Sequence, residues 1–304
     1  MLRKKDMKLT KHDKPYLALE FSDRTGKIEG RLWDKAEQFV KSAETGDIVR
    51  IIGSVKAYLD EKQINVDSME KAKEGVFNKE DMVRVAENRE EIFGKVTSYL
   101  KSIKNKWMVL LVSEFTSDEQ LMMAFKDGLG GKSWHNAYIG GLLEHTYDVM
   151  FIVDAMCVLY PEADRDIAVF GAFMHDIGKV FELDPKKMEY TIEGGLVGHI
   201  AIGHKLLAEK MKDIPGFPRD LSLRLEHIML SHHGEYEQQS PVLPKTLEAI
   251  IVYQTDELVS QANAIKEIQT AQSDGGRVWS NFVSIKNRKF YIKDAAGEEW
   301  AREE

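Results

Sequence analysis

His175-Asp176-Ile177-Gly178-Lys179 is the stretch on which the reading of this chain turns. An imidazole and a carboxylate stand side by side within an apolar pattern of helical spacing, where a role in open solvent does not fit. Eight of the nine histidines lie between His135 and His233, so the pair belongs to a cluster. Moving outward, His145 sits in Gly140-Gly141-Leu142-Leu143-Glu144-His145-Thr146 and His199 in Gly198-His199-Ile200. His232 and His233 adjoin, and Asp256 follows the apolar run from Ala249 to Val252. Neutral imidazoles and carboxylates without a thiolate suit borderline to hard divalent ions such as Mn²⁺, Fe²⁺, Mg²⁺ or Zn²⁺. Cys157 is the single cysteine, which excludes an internal disulfide and a thiolate-rich zinc site. It is expected to pack as a small apolar side chain.

A His, an adjacent His-Asp pair, a further His, a His-His pair and a late Asp occur in that order from His145 to Asp256. The series resembles the HD-domain superfamily of metal-dependent phosphohydrolases. The resemblance implies an all-α domain holding two divalent ions, one on His145, His175, Asp176 and Asp256, the other on His199, His232 and His233, with Asp176 bridging. A bridging carboxylate needs two oxygens, so Asn should not serve at 176. Two cations a few Å apart favour phosphate-ester hydrolysis, because they make hydroxide available near neutral pH and neutralise the charge of an in-line displacement. Asp176 and Lys179 are the catalytic candidates. Lys179 follows Asp176 by three and His175 by four, so on a helix it shares their face and could touch a phosphate oxygen or the leaving group. The other reading of Lys179 is an exposed lysine at a helix C terminus. His135 and Tyr138, upstream of His145, are expected to line the substrate cleft without touching metal. His204 reads as a surface residue, five positions after His199, and His227 as a packed or helix-face residue.

The first seventy residues carry a different period. Leu17, Leu19 and Phe21 alternate with Ala18 and Glu20 before the turn Asp23-Arg24-Thr25-Gly26, and Ile28, Gly30 and Leu32 alternate with Glu29, Arg31 and Trp33. A helical stretch from Asp34 to Ala43 places Ala36, Phe39 and Val40 on one side. The β pattern returns from Ile48 to Val55 and from Gln63 to Val66, after a turn at Asp60-Glu61-Lys62. With a first strand inside Leu2 to Leu9, the order resembles the OB-fold, a five-stranded barrel with one helix between its third and fourth strands that often binds single-stranded nucleic acid. Base stacking on an aromatic ring gains about 1 to 3 kcal/mol without reading sequence, so Trp33, Tyr58, Arg31 and Lys56 are the substrate-binding candidates. Trp33 points away from Ile28 and Leu32 and is expected on the outer face or packed against the helix.

The organisation read from these patterns is an OB-like barrel over 1–74, a helical connector over 75–130 and an HD domain with a C-terminal extension over 131–304. The connector is expected as a long amphipathic helix from Lys79 to Lys104, then a helical region from Trp107 to Phe125 broken at Thr116-Ser117-Asp118, with Ser117 as N-cap and an end at Gly128. Net charge is −8, which argues against coating nucleic acid through charge alone. The balance is uneven: residues 1–75 carry 16 Lys+Arg against 14 Asp+Glu, and six basic against two acidic residues fall in the first fourteen. No apolar run reaches the length of a signal peptide or a membrane span, so a cytoplasmic protein without membrane partners is expected. The acidic tail from Asp294 to Glu304 is assigned no role.

HD domains act on nucleotides, cyclic nucleotides, alarmones and nucleic acids, so flanking residues must choose among them. His232-His233 continues into Gly234-Glu235-Tyr236 without Gly-Tyr-Pro, which weakens a cyclic-dinucleotide reading. An OB-like barrel ahead of Gly-Gly-Leu-Leu-Glu-His-Thr at 140–146, Gly-His-Ile at 198–200 and Ser-His-His-Gly-Glu at 231–235 resembles the YhaM-type 3′-to-5′ exoribonucleases. Ser240-Pro241-Val242, the helix from Ala249 to Asp256 and the segment from Trp279 to Tyr291 share the resemblance. It implies a metal-dependent phosphodiesterase that releases mononucleotides from single-stranded RNA, with single-stranded DNA as a further substrate and self-association left open. Two alternatives remain: an HD-type nucleotide or cyclic-nucleotide phosphohydrolase, and a non-catalytic nucleic-acid-binding protein on a metal-stiffened scaffold.

Overall fold

Alternating apolar residues in the first part of the chain build five strands: β1 (Leu2–Leu9), β2 (Pro15–Asp23), β3 (Gly26–Leu32), β4 (Val49–Tyr58) and β5 (Glu61–Lys71). The structure is a computed structural model that describes residues 1–24, 26–58, 61–73, 75–77, 83–132, 136–272, 278–283 and 286–292. The sheet order is β1-β2-β3-β5-β4, antiparallel throughout except for the parallel pairing of β3 with β5, where Gly30 faces Ile64. Leu2, Leu17, Leu19, Phe21, Leu32, Val66 and Met69 form its core. Gly30 is required there, because a Cβ at that position would lie 2.6 Å from the Phe21 ring.

The first strand occupies the whole of Leu2–Leu9. Among the described residues β1 and β4 share no ladder, so the barrel is not closed by strand pairing. The gap is spanned just before β4, where Leu2 N–H donates to Asp47 O and Gly46 N–H to Leu2 O, both at 2.8 Å. Lys5 Nζ adds bonds to the carbonyls of Val40 and Ala43, each 2.6 Å. The helix expected from Asp34 to Ala43 is shorter: α1 spans Ala36–Phe39, entered through Lys35 at φ 58, and the chain then breaks into turns. Ala36, Phe39 and Val40 still pack on the barrel core as their spacing implied.

The long helix expected from Lys79 begins only at α2 (Arg89–Lys101). Residues 78–82 lie outside the described residues. The backbone from 84 to 86 is committed elsewhere: Ala86 N–H donates to Ile139 O at 2.8 Å and Ile139 N–H to Arg84 O at 3.2 Å, a strand-like pairing incompatible with a helical turn. α3 (Lys106–Thr116) and α4 (Glu119–Asp127) follow, the latter ending at Gly128 as expected. The cap of α4 is Asp118 and not Ser117: Asp118 accepts from Leu121 N–H, while the Ser117 hydroxyl turns back to Ser113 O.

The helical body continues with α5 (Gly141–Leu159), α6 (Arg165–Met174), α7 (Lys179–Glu182), α8 (Ile192–Val197), α9 (His199–Lys212), α10 (Arg219–Ser231) and α11 (Leu247–Gln272). A two-residue strand pair, β6 (Leu183–Asp184) with β7 (Glu189–Tyr190), interrupts the otherwise helical domain. α6 is the axis. Every residue from Ile167 to Met174 is buried, with α3, α5, α10 and α11 packed around it. Asp164 caps its start, accepting from the N–H groups of Asp166 and Ile167. Phe115, Phe125, Phe170 and Phe173 meet in edge-on and tilted contacts with centroids 5.4 to 6.2 Å apart. Each such buried side chain contributes about 1.5 to 3 kcal/mol, so the C-terminal end of α6 is fixed rigidly. α2, α3 and α4 bury Val96, Leu100, Leu111 and Phe125 in this same core. Among the described residues no helix is long and apolar enough to cross a membrane.

Candidate metal centre

Helix ends deliver most of the polar side chains to one point in this core. His175 ends α6 and Asp176 follows it; His232 ends α10 and His233 follows; His199 starts α9. His145 projects from α5 and Asp256 from α11. His145, His175 and His232 are fully buried and Asp176 is 2% exposed. His145 Nε2 lies 3.1 Å from His175 Nε2 and 3.1 Å from Asp256 Oδ1. Ligand atoms of His145, His175 and Asp256 form one compact group, and those of His199, His232 and His233 a second.

Asp176 stands between the groups. Its Oδ2 faces the first, 3.3 Å from His175 Nε2 and 3.5 Å from His145 Nε2; its Oδ1 faces the second, 3.5 Å from His199 Nε2 and 3.8 Å from His232 Nε2. The outer ring nitrogens are tied down: His175 Nδ1 to Ala172 O at 2.7 Å, His232 Nδ1 to Met229 O at 2.8 Å, His233 Nδ1 to Gln238 O at 2.8 Å and His199 Nδ1 to Glu182 Oε1 at 3.1 Å. Carbonyl and carboxylate acceptors require the proton on Nδ1, which leaves the Nε2 lone pair aimed inward. Nε2 of His199 and of His232 are buried without a hydrogen-bond partner among the described residues. Buried lone pairs converging on carboxylate oxygens are costly unless a cation sits among them, so the donor set fits a divalent metal. The chemistry of the set, imidazole and carboxylate, selects no single ion.

The electrostatics of the two carboxylates and of His232 have the same sense. Burial opposes charge on Asp176, but Lys179 and His175 outweigh it and hold the carboxyl well below the usual carboxylate range. Burial likewise opposes charge on Asp256, and the hydrogen bond from His145 together with His175 overrides it downward. Burial, reinforced by His233 and His175, pushes His232 well down and keeps it neutral, the form in which an imidazole ligates.

Lys179 is not an exposed helix-end lysine. Its Nζ donates to Asp176 Oδ2 at 2.6 Å and to Gly130 O at 2.8 Å. Tyr138 is buried, donates its hydroxyl to the Glu144 carboxylate, and carries the Arg84 guanidinium 4.0 Å above its ring. Burial and Glu144 push its phenol up. It lines a cavity of about 1310 Å³ bounded by Arg3 and Lys27 of the barrel and by Asp148 and Lys266 of the helical body. None of the His and Asp residues of the centre lines that cavity. His135 lies outside the described residues. His204 is half-buried beside Glu226 at 3.4 Å, and His227 Nε2 accepts from Lys245 N–H at 2.8 Å.

On the barrel, Trp33 lies on the outer face and not under α1. It is 42% exposed and stacks on Tyr16, ring centroids 4.7 Å apart at 26°. Arg31 pairs with Glu29 at 2.7 Å, and Lys56 is exposed on β4 opposite Gln63. Tyr58 falls in β4, but its side chain lies outside the described residues. Two relevant residues escaped the sequence reading. Tyr16 occupies the polar phase of β2 with Ala18 and Glu20, and an aromatic in that phase was a usable signal. Glu182, in Lys179-Val180-Phe181-Glu182, left none.

Comparison with known proteins gives two matching family models: an HD domain over residues 142–260 and an OB-fold nucleic acid binding domain over residues 2–72. The 3'-5' exoribonuclease YhaM of Listeria welshimeri is 30% identical over 285 residues, 91% of this chain and 88% of the relative. The protein of the same name from Geobacillus sp. strain WCH70 is 30% identical over 291 residues, 93% and 87% of the two chains. The Listeria innocua counterpart is 28% identical over 285 residues. No solved structure gives a significant match.

Proposed function

The chain belongs to the YhaM 3'-5' exoribonuclease family, and from that premise we propose that this HD-type, metal-dependent hydrolase removes mononucleotides from the 3′ end of single-stranded RNA at a two-ion centre. The observation that carries the reading is the position of Asp176, whose two oxygens face two separate ligand groups. His145, His175 and Asp256 with Asp176 Oδ2 would hold one ion; His199, His232 and His233 with Asp176 Oδ1 would hold the other. Bound there, divalent ions supply hydroxide near neutral pH and neutralise the charge of the phosphodiester.

The chain's own residues do the rest. Lys179 fixes the Asp176 carboxylate through Oδ2, and its remaining N–H would be offered to a phosphate oxygen bound at the centre. The carbonyl-anchored imidazoles of His175, His232 and His233 hold their inward lone pairs without rotation. The stacked Tyr16 and Trp33 rings offer a base a sequence-tolerant platform, and Arg31 on β3, paired with Glu29, and the exposed Lys56 on β4 would supply cations on the same sheet for the backbone. An unpaired strand is the substrate this favours, since a duplex hides its base faces.

The test is incubation of the purified protein and Mn²⁺ with 3′-labelled single-stranded RNA, beside matched single-stranded DNA. Labelled mononucleotide should appear early, and Asp176→Asn should abolish its release. Cleavage confined to small nucleotides or cyclic nucleotides would contradict the exonuclease reading.

A further inference from the structure

We infer that Glu182 is a positioning residue that selectively builds the His199 side of the centre, an inference that rests on the two-ion reading above. His175 and His232 stand at the C-terminal ends of helices, where free carbonyls three residues back accept from Nδ1. His199 stands at the opposite kind of end. A helix start offers N–H groups and no free carbonyls, so its ring cannot be anchored by its own helix. Glu182 solves both problems with one oxygen: Oε1 accepts from the His199 backbone N–H at 3.0 Å and from His199 Nδ1 at 3.1 Å.

Glu182 is itself held firmly. It is 8% exposed at the end of α7, and its carbonyl accepts from Thr191 N–H at 2.9 Å. A Cβ at Gly194 would come within 2.2 Å of that carbonyl oxygen, so α8 closes directly on it. The carboxylate fixes the His199 tautomer, sets the ring plane, and makes Nε2 a stronger donor than a carbonyl-anchored imidazole. Removing such an outer partner weakens metal binding about 10- to 100-fold. The carboxylate bonds of Glu182 run to His199, so the affinity of the first ion group should not change.

The experiment is calorimetric titration of the metal-stripped full chain with Mn²⁺, with elemental analysis of the loaded protein, for wild type, Glu182→Ala and Glu182→Gln. Thermal melting is recorded on each stripped protein. In Glu182→Ala one of two sites should weaken by about 10- to 100-fold while the other holds. Glu182→Gln retains an oxygen for both bonds and should fall between the two, which also carries the test if the alanine variant does not fold. Unchanged affinity at both sites, or parallel weakening of both with a matching loss of melting temperature, would overturn the inference. A wild-type chain that binds one ion contradicts the two-ion reading itself; if that ion is lost in His199→Ala it lies on the His199 side, and unchanged affinity in Glu182→Ala then overturns the inference, whereas weakening there supports it.

Discussion

Asp176 is buried, charged and shared between two ligand groups, and among the described residues Lys179 is the ammonium that touches it. Lys179→Met keeps the bulk of the side chain and deletes the bonds to Asp176 Oδ2 and Gly130 O. A hydrogen bond to a charged group is worth about 1.5 to 3 kcal/mol, so turnover on RNA should fall about 10- to 150-fold, read from steady-state rates at saturating Mn²⁺. Wild-type turnover in a folded variant would leave Lys179 without a role at the centre. Cys157 illustrates the opposite case of a reactive side chain made inert. Burial pushes its thiol up to about 11, so the native protein should resist alkylation at pH 8 and react only after denaturation, as mass spectrometry would show. The clustering of His and Asp inside apolar helical spacing was legible in the sequence, while their grouping into one ligand set came from the order they share with the HD superfamily. Glu182 was not legible, because a glutamate at the end of a short amphipathic run looks like any solvated one. Only its bonds to His199, seventeen positions on, distinguish it.

Elements deliver the site through their ends, and this makes close approaches between elements consequential. Gly178 lies where α7 begins beneath the first turn of α9, and a Cβ there would sit 2.0 Å from His199 O and 2.8 Å from Gly203 N. Its φ of −61 suits any residue, so the demand is purely steric. Gly178→Ala should therefore cost about 1 to 3 kcal/mol by overpacking and displace His199, measurable by urea unfolding and by Mn²⁺ affinity. Gly203→Ala meets only the flexible end of Met229, 2.5 Å away, and should be milder. A second element-scale expectation concerns Asp118, whose bond from Leu121 N–H, aided by Lys210, holds its carboxyl below the usual carboxylate range. Asp118→Ala should cost about 1 kcal/mol at pH 7. A depressed carboxyl stabilises the fold above the unfolded value near 3.9 and loses that contribution as pH falls through the folded value. The gap between the two proteins should therefore shrink as pH drops from 7 toward 3; an unchanged gap would rule out the charged cap. The succession of the later strands and the helical core were readable from periods of two and 3.6, while the first strand was placed through the resemblance to the OB-fold. The start of α2 was not readable, because Ala86 pairs with Ile139, 53 positions on, and overrides local helical spacing. The capping position slipped by one for a related reason: Ser117 and Asp118 are both competent caps, and Ser117 spent its hydroxyl on Ser113.

At the scale of the whole molecule, a barrel with an exposed Trp33 stacked on a half-buried Tyr16 precedes a helical body with a buried polar centre, and the two parts should separate functionally. Trp33→Ala removes half of the stack with Tyr16 and should weaken RNA binding about 5- to 150-fold, equivalent to about 1 to 3 kcal/mol. Hydrolysis of a small aryl phosphodiester, which needs no strand platform, should be unaffected. An equal loss on both substrates would mean that Trp33 acts through folding. The N-terminal excess of base over acid carries only +2 across residues 1–75, so binding should rest on stacking as much as charge and should weaken only modestly with salt. The most direct measurement is a time course on 5′-labelled single-stranded RNA with wild type and Asp176→Asn, in chelator and after Mn²⁺ is restored. Wild type should shorten the strand from its 3′ end only with Mn²⁺, and Asp176→Asn should leave it intact. Shortening that persists in chelator, or that survives in Asp176→Asn, would contradict hydrolysis at the His and Asp centre.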